Sequence, residues 1–265
     1  MLTIAELVKD LRRLGVPEGG TVMLHASMRA IGAVDGGAAS VVRALESAVT
    51  PSGTVLMVLG ALDDWAWINS RPEDERCALL SDAKPFDAEQ TPADPEVGVL
   101  AEVFRRMPGT FVSDHPEGRF GARGLRSLDL TRDVPWNDYY GPGSPLNRLV
   151  DLDGFVLRLG ADINTVTLFH YAEYLADLPS KRRVRRHRLV AGPGGPQVRI
   201  VDCLDDSEGI TDYPGEDYFA DILTDFMKDH KGNYGLVGNA PSEFLRASEL
   251  VDFASNWMSQ NLNRV

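Results

Sequence analysis

The order strand, helix, strand near the start of the chain constrains the fold more than any other feature. Residues 22–25 (Val-Met-Leu-His) read as a short buried strand, residues 38–48 as a good helix opened by Gly36-Gly37, and residues 54–59 as a second strand after the turn Pro51-Ser-Gly53. A β-loop-α-β opening of this kind implies a sheet covered by helices, an α/β fold. Ahead of it, Leu2, Ile4, Leu7, Val8, Leu11 and Leu14 recur at helical spacing, so residues 3–14 form an amphipathic helix.

Further along, residues 97–107 read as a helix stopped by Pro108-Gly109, and residues 155–160 as a strand ending in glycine. Residues 185–190 and 198–202 flank the turn Ala191-Gly-Pro-Gly-Gly-Pro196 and predict a hairpin. Residues 218–230 are amphipathic, and residues 248–261 form a C-terminal helix. Residues 60–96 hold many acids and prolines with little periodicity, which predicts a long functional loop with one short helix. With no internal repeat and no linker, residues 1–265 are expected to form a single α/β domain.

Composition limits the partners. The net charge is −12. That excludes the basic footprint of a nucleic-acid binder and suits a cationic ligand drawn into an acidic cleft. No apolar run approaches the roughly 20 residues of a membrane helix, and the N-terminus lacks the layout of a signal peptide. Cys77 and Cys203 are the only cysteines, without a CxxC, so neither a disulfide framework nor a zinc site is indicated. His25, His115, His170, His187 and His230 show no ligand spacing such as HExxH, and no metal is expected. A cytoplasmic enzyme fits these features, and a homodimer is admitted.

The run Thr165-Val-Thr-Leu-Phe-His170-Tyr-Ala-Glu173 carries chemistry. On a helix, positions 170 and 173 share one face, so imidazole and carboxylate can meet. A carboxylate that fixes a histidine's tautomer and stabilises its charged form makes a general base. An acid from residues 205–217 could reach the same ring through the fold. Ser27 and Ser144 lack a GxSxG elbow, which speaks against a serine hydrolase.

Eight collinear segments resemble the aminoglycoside 3-N-acetyltransferase family. They are Leu14-Gly-Val-Pro-Glu-Gly19, Met23-Leu-His-Ala-Ser-Met-Arg-Ala-Ile-Gly32, Ser113-Asp-His-Pro116 and Tyr140-Gly-Pro-Gly-Ser-Pro-Leu146, then Val156-Leu-Arg-Leu-Gly160, Thr167-Leu-Phe-His-Tyr-Ala-Glu173, Lys181-Arg-Arg-Val184 and Asp212-Tyr-Pro-Gly-Glu-Asp-Tyr-Phe219. The resemblance covers almost the whole chain. It implies a three-layer α/β/α fold with a central mixed sheet, and acetyl transfer from acetyl-coenzyme A (acetyl-CoA) to the 3-amine of a deoxystreptamine aminoglycoside.

Direct attack by an amine on a thioester requires the free base, and proton removal by His170 would contribute roughly 10²–10⁴-fold in rate. Glu173 is its nearest partner in sequence. The oxyanion that forms needs donors, supplied by the hydroxyls of Thr167 and Thr165 or by amides at the start of the His170 helix. Both threonines could also cap that helix. The resemblance lays the loop His25-Ala26-Ser27-Met28-Arg29 along the coenzyme, with Ser113, His115 and Thr165 near it. Lys181-Arg-Arg183 and Arg185-Arg186 read as a solvated basic strand face, with a coenzyme phosphate contact as the alternative.

For a polycationic acceptor, the resemblance implies Asp63, Asp64 and Trp65 after the second strand, and Tyr213, Glu216 and Asp217 in the Tyr-Pro-x-x-Asp-Tyr-Phe pattern. Glu102, Glu96 and Asp205-Asp206 add to the supply of acids. Carboxylates beside aromatic rings suit amino sugars. One departure stands out: Gly60-Ala-Leu-Asp63 replaces the usual Gly-Trp-x-Asp, and residues 66–85 diverge. Two alternatives therefore stay open: acetylation of another small amine, or an acidic protein that binds cations without turnover.

Overall fold

The computed structural model describes residues 1–228 and 232–262. Helix α1 (Ile4–Leu14) is started by a capping box in which Thr3 and Glu6 exchange side-chain and backbone hydrogen bonds. Then come β1 (Thr21–Ala26), the short α2 (Met28–Ile31), α3 (Gly37–Val49) and β2 (Thr54–Val58). The long connection that follows holds α4 (Glu73–Leu79). Beyond it lie α5 (Val99–Arg106), β3 (Phe111–Val112), β4 (Phe120–Gly124), α6 (Ser127–Thr131), α7 (Pro145–Asp151) and β5 (Phe155–Leu159). The remainder is α8 (Phe169–Leu175), β6 (Arg183–Val190), β7 (Gln197–Leu204), α9 (Tyr218–Lys228), β8 (Asn233–Val237), β9 (Ala240–Arg246) and α10 (Ala247–Asn261).

Seven strands form one mixed sheet in the order β3-β4-β2-β1-β5-β9-β8. The central β1 runs parallel to β2 and β5, and the outer pairings are antiparallel. Successive residues of β1 point to opposite faces. Val22 and Leu24 pack with α1, α3 and α5, whereas Met23 packs with α7, α8, α9 and α10. Burial of each such side chain stabilises the fold by about 1.5–3 kcal/mol. The expected three-layer α/β/α arrangement with a mixed sheet is what forms. Strands β6 and β7 make a separate ribbon, the expected hairpin. Among the described residues no helix is long and apolar enough to cross a membrane.

This topology sets up a switch point. From β1 the chain crosses by α3 to β2 on one side, while β5 lies on the other, so their C-terminal ends flank a switch point of the kind where α/β sheets take ligands. The loops leaving β1 and β5 touch there. Ser27 N–H donates to the Leu159 carbonyl at 2.9 Å. Gly160 has φ +60°, and a Cβ on it would sit 2.3 Å from Ala30 Cβ, so only glycine permits this approach.

One rung across β1, β5 and β9 is polar. His25 pairs with Arg158, and Arg158 pairs with Glu243. The Arg158 side chain is buried; it donates to the carbonyls of Ala161, Asp162 and Thr165 and to Glu243 Oε2 at 3.1 Å. A charged residue inside strand β5 thereby fixes the loop that leads to His170.

Candidate active site

Helix α8 brings His170 and Glu173 onto one face, three residues apart, as their spacing dictates. His170 Nδ1 lies 2.8 Å from Glu173 Oε2. A carboxylate only accepts, so Nδ1 carries the proton and Nε2 is left with a lone pair. The Glu173 side chain is 1% exposed and that of His170 18%. Tyr140 stacks on the imidazole with ring centroids 5.0 Å apart and planes within 9°, and Phe219 closes in from another side at 4.9 Å. Burial alone would lower the pKa of His170; the charge and hydrogen bond of Glu173 outweigh it and hold the pKa above its ordinary value.

The dyad lines a cleft of about 800 Å³. Its wall is the segment from Asp205 to Phe219, which presents Asp206, Glu208, Asp212, Glu216 and Asp217, with Arg182 the one basic side chain in the lining among the described residues. Tyr213, Glu216 and Asp217, expected at an acceptor site, are all in this lining. Asp217 also caps α9 by accepting from the Phe219 amide at 2.8 Å, and its other oxygen accepts from Asn164 Nδ2 at 2.8 Å, tying the wall to the loop before α8. Tyr213 donates to Asp221 at 2.5 Å.

Several expected site residues lie elsewhere or are already engaged. Asp63, Asp64 and Trp65 line a separate cavity of about 130 Å³ together with Arg188 and Phe86. Asp63 is paired with Arg188, which also contacts Glu117 at 3.2 Å. Glu102 is held by Arg105 and accepts from the Ala93 amide at 2.8 Å, so it anchors the loop before α5. Ser113 Oγ accepts from the Phe120 amide at 2.8 Å and donates to Gly118 O, closing the β3–β4 turn.

His115 is fully buried with both nitrogens occupied. Its Nδ1 accepts from the Gly118 and Glu117 amides, and Nε2 donates to the Trp136 carbonyl at 2.9 Å. Burial pushes its pKa down to about 4, aided by Arg188 and Arg199. His25 is likewise buried and neutral, pushed down to about 3 by burial and by Arg158; its Nε2 has no hydrogen-bond partner among the described residues.

On the loop after β1, Ser27 Oγ accepts from the Ala30 amide at 3.3 Å and caps α2. Ala26 and Met28 pack on the core below, while Arg29 is exposed with no ion pair among the described residues. The threonines do not cap α8, whose N-cap is Leu168 without a side-chain bond. Thr165 is exposed and Thr167 half-buried. The amides of Phe169, His170 and Tyr171 already donate to the carbonyls of Val166, Thr167 and Leu168, so the helix start offers none of these as oxyanion donors.

The basic strand face is only partly solvated. Arg183 and Arg185 are exposed and paired with Asp202, Asp138 and Glu73, but Arg186 is not solvated. It is 13% exposed and binds Asp206, Tyr139 OH at 2.7 Å and Ser207 Oγ at 2.9 Å. Burial opposes ionisation of Asp206, yet Arg186 and His170 hold its pKa below the ordinary carboxylate value. Arg186 was legible as charge but not as a buried partner, because β6 shows no polar–apolar alternation to mark its inner face.

Among the described residues no three His, Cys, Asp or Glu side chains are grouped to hold a metal ion. His230 lies outside the described residues.

A family model described as aminoglycoside 3-N-acetyltransferase matches residues 23–259. The chain is 37% identical to aminoglycoside N(3)-acetyltransferase VII of Streptomyces paromomycinus, over 99% of this chain and 93% of that one. Among solved structures, the AAC-IIIb binary with CoASH superposes with a TM-score of 0.91 at 36% identity, covering 97% of this chain and 96% of that one. AAC-VIa bound to sisomicin superposes with a TM-score of 0.89 at 31% identity, covering 99% of each.

Proposed function

Because the chain belongs to the aminoglycoside 3-N-acetyltransferase family, acyltransferases by class, we propose that His170 is the base that frees an acceptor amine to attack acetyl-CoA. One observation carries this reading: a histidine with Nδ1 locked on a buried carboxylate keeps a lone pair on Nε2 and lines an acidic cleft. The coenzyme supplies an acetyl group activated as a thioester. As the amine nitrogen bonds to the acetyl carbon, Nε2 takes the proton the nitrogen sheds; the carbon–sulfur bond then breaks, and the imidazolium can return the proton to the departing thiolate. Glu173 stabilises the imidazolium in between.

Thr167 stands three residues before the base, and its hydroxyl has no partner among the described residues, which suits it to the oxyanion. The coenzyme is assigned to the switch point at the ends of β1 and β5. There Arg29 is an unpaired guanidinium for a phosphate, and the loops 26–29 and 160–165 converge with Thr165 exposed. The AAC-IIIb structure with CoASH supports coenzyme A as the ligand. His115 and Ser113, engaged in the β3–β4 turn, would act only by shaping the loop.

An aminoglycoside is the acceptor the cleft favours, since Glu208 and Glu216 present carboxylates without an ion pair among the described residues. The sisomicin-bound relative supports it. We assign the 3-amine of the deoxystreptamine ring as the site, with antibiotic resistance as the outcome. Acetylation removes a charge the drug would use on ribosomal RNA phosphates. The reaction belongs in the cytoplasm, where acetyl-CoA and ribosomes meet, and residues 1–265 would work as one domain. A different small amine is the second reading, favoured by one observation: Asp63 and Trp65 line their own cavity apart from the cleft.

The test is thiol release from acetyl-CoA with a panel of aminoglycosides, for wild type and His170→Ala, with NMR of the product. Release with gentamicin- or kanamycin-class drugs that falls roughly 10²–10⁴-fold in His170→Ala is expected. Release with other amines alone would transfer the assignment to the second reading, and undiminished release in His170→Ala would remove the base.

A further inference from the structure

The dyad has a third member that the reaction as drawn does not use. Tyr218, the first residue of α9, is buried, and its phenol donates to Glu173 Oε1. The direction of this bond follows from a neighbour: the phenol oxygen accepts from the Ile210 amide at 3.4 Å, leaving its single hydrogen for the carboxylate. Each oxygen of the buried Glu173 therefore has one partner, His170 on Oε2 and Tyr218 on Oε1.

We propose that Tyr218 is a positioning residue that fixes the Glu173 carboxylate and moderates its charge, and so sets the basicity of His170. The proposal rests on the reading of His170 as base. Its physics is simple. A donated O–H draws electron density from the carboxylate, so the proton on Nδ1 is held less strongly than it would be by a bare anion. The same bond keeps Glu173 from rotating, and with it the imidazole plane and the direction of the Nε2 lone pair. Burial, reinforced by the Glu173 charge, holds the Tyr218 phenol above its ordinary pKa, so it remains a donor across the working pH range.

Other charged or titratable groups face this pair from neighbouring elements. Asp206 follows β7, Arg186 lies on β6, Tyr140 precedes α7, and Lys181 precedes β6. All four are unaltered by the variants below. Removing the phenol leaves a more basic carboxylate and raises the pKa of His170. Removing the carboxylate charge lowers it. A merely structural tyrosine would not produce opposite shifts.

The experiment is an NMR titration of the His170 ring, with labelled histidine, in wild type, Tyr218→Phe and Glu173→Gln. Tyr218→Phe is expected to raise the pKa by roughly half to one pH unit, and Glu173→Gln to lower it. In acetyl transfer, Tyr218→Phe should lose about tenfold in kcat with little change in acceptor KM. If that variant does not fold, 3-fluorotyrosine placed at position 218, a stronger donor, should lower the pKa instead. An unchanged or lowered pKa in folded Tyr218→Phe, or an unchanged or raised one with fluorotyrosine, overturns the proposal. The titration reads Tyr218 independently of turnover. Retained activity in His170→Ala would defeat the base reading while leaving the shift to be measured.

Discussion

His170 and His115 are both enclosed by aromatic rings, and they end up with opposite chemistry. His115 sits between Trp136 and Tyr139, with centroids 4.9 and 5.0 Å away, and His170 between Tyr140 and Phe219 at 5.0 and 4.9 Å. The difference lies in the charges around them. His115 bonds only to backbone groups and feels Arg188 and Arg199, so burial silences it at a pKa of about 4. His170 has Glu173 on one nitrogen and Asp206 nearby, and its pKa rises despite burial. An aromatic cage makes a histidine inert; one buried carboxylate makes it a base.

The most direct way to break this contrast is to remove the carboxylate. Glu173→Gln keeps the shape and withdraws the charge, so His170 should approach the state of His115. Its pKa should fall, and kcat should drop by about 10²-fold or more, because the imidazolium formed in the reaction loses its counter-ion. In wild type, kcat/KM for a fixed aminoglycoside should climb as pH rises through a pKa above 6.5, since only neutral imidazole accepts a proton. A pH–rate profile of both proteins checks the two statements together.

Stability should show the same contrast with the opposite sign. The folded pKa of His115 is depressed from 6.5 to about 4, so the unfolded chain binds the proton more readily. Its contribution is complete above 6.5 and lost as pH falls toward 4, costing on the order of 3 kcal/mol at pH 4. His25, pushed down to about 3, adds to this loss. For His170 the folded pKa is raised, so its contribution is complete below 6.5 and lost as pH climbs through the folded value. Urea unfolding between pH 4 and 6.5 should be less steeply pH-dependent in His115→Gln than in wild type, by up to one proton.

How far such differences can be read in a sequence depends on their range. The spacing of His170 and Glu173 is local, three residues on a helix, and is legible in the chain alone. So are α1, α3, β2, α5, the β6–β7 hairpin and α10, whose periodic or apolar patterns are strong; their bounds agree within about two residues. Strands β4 and β9 are not. Phe120-Gly-Ala-Arg-Gly124 carries two glycines, and Ala240-Pro-Ser-Glu-Phe-Leu-Arg246 has a proline and two polar residues in its first half. They are strands because β2 and β5 offer them open edges, a tertiary cause. The fates of Asp63 and Arg186 are hidden for the same reason, since each is settled by a partner across the β6–β7 ribbon, whereas Glu102 has its partner Arg105 three residues on in α5, a local pairing like that of His170 and Glu173.

The smallest expected effect tests the long-range part of the contrast. His115 lies among arginines, whereas His170 faces a wall whose Glu216 has no ion pair among the described residues and lines the open cleft. Such a carboxylate contributes little to folding, because an exposed charge is well solvated. It should act on the acceptor instead, as one of several anions that raise the local concentration of a polycation. Glu216→Gln is therefore expected to raise the acceptor KM by about 2–5-fold at low salt, and the difference should shrink as the Debye length falls toward about 3 Å at 1 M salt. Tm and kcat should stay near wild type. Asp63→Asn is the control: it strips a counter-ion from the largely buried Arg188, so it should lower Tm while leaving the salt dependence of KM alone. If Glu216→Gln instead lowered Tm, or Asp63→Asn raised KM in a salt-dependent way, the acids of the wall and of the second cavity would have to exchange roles.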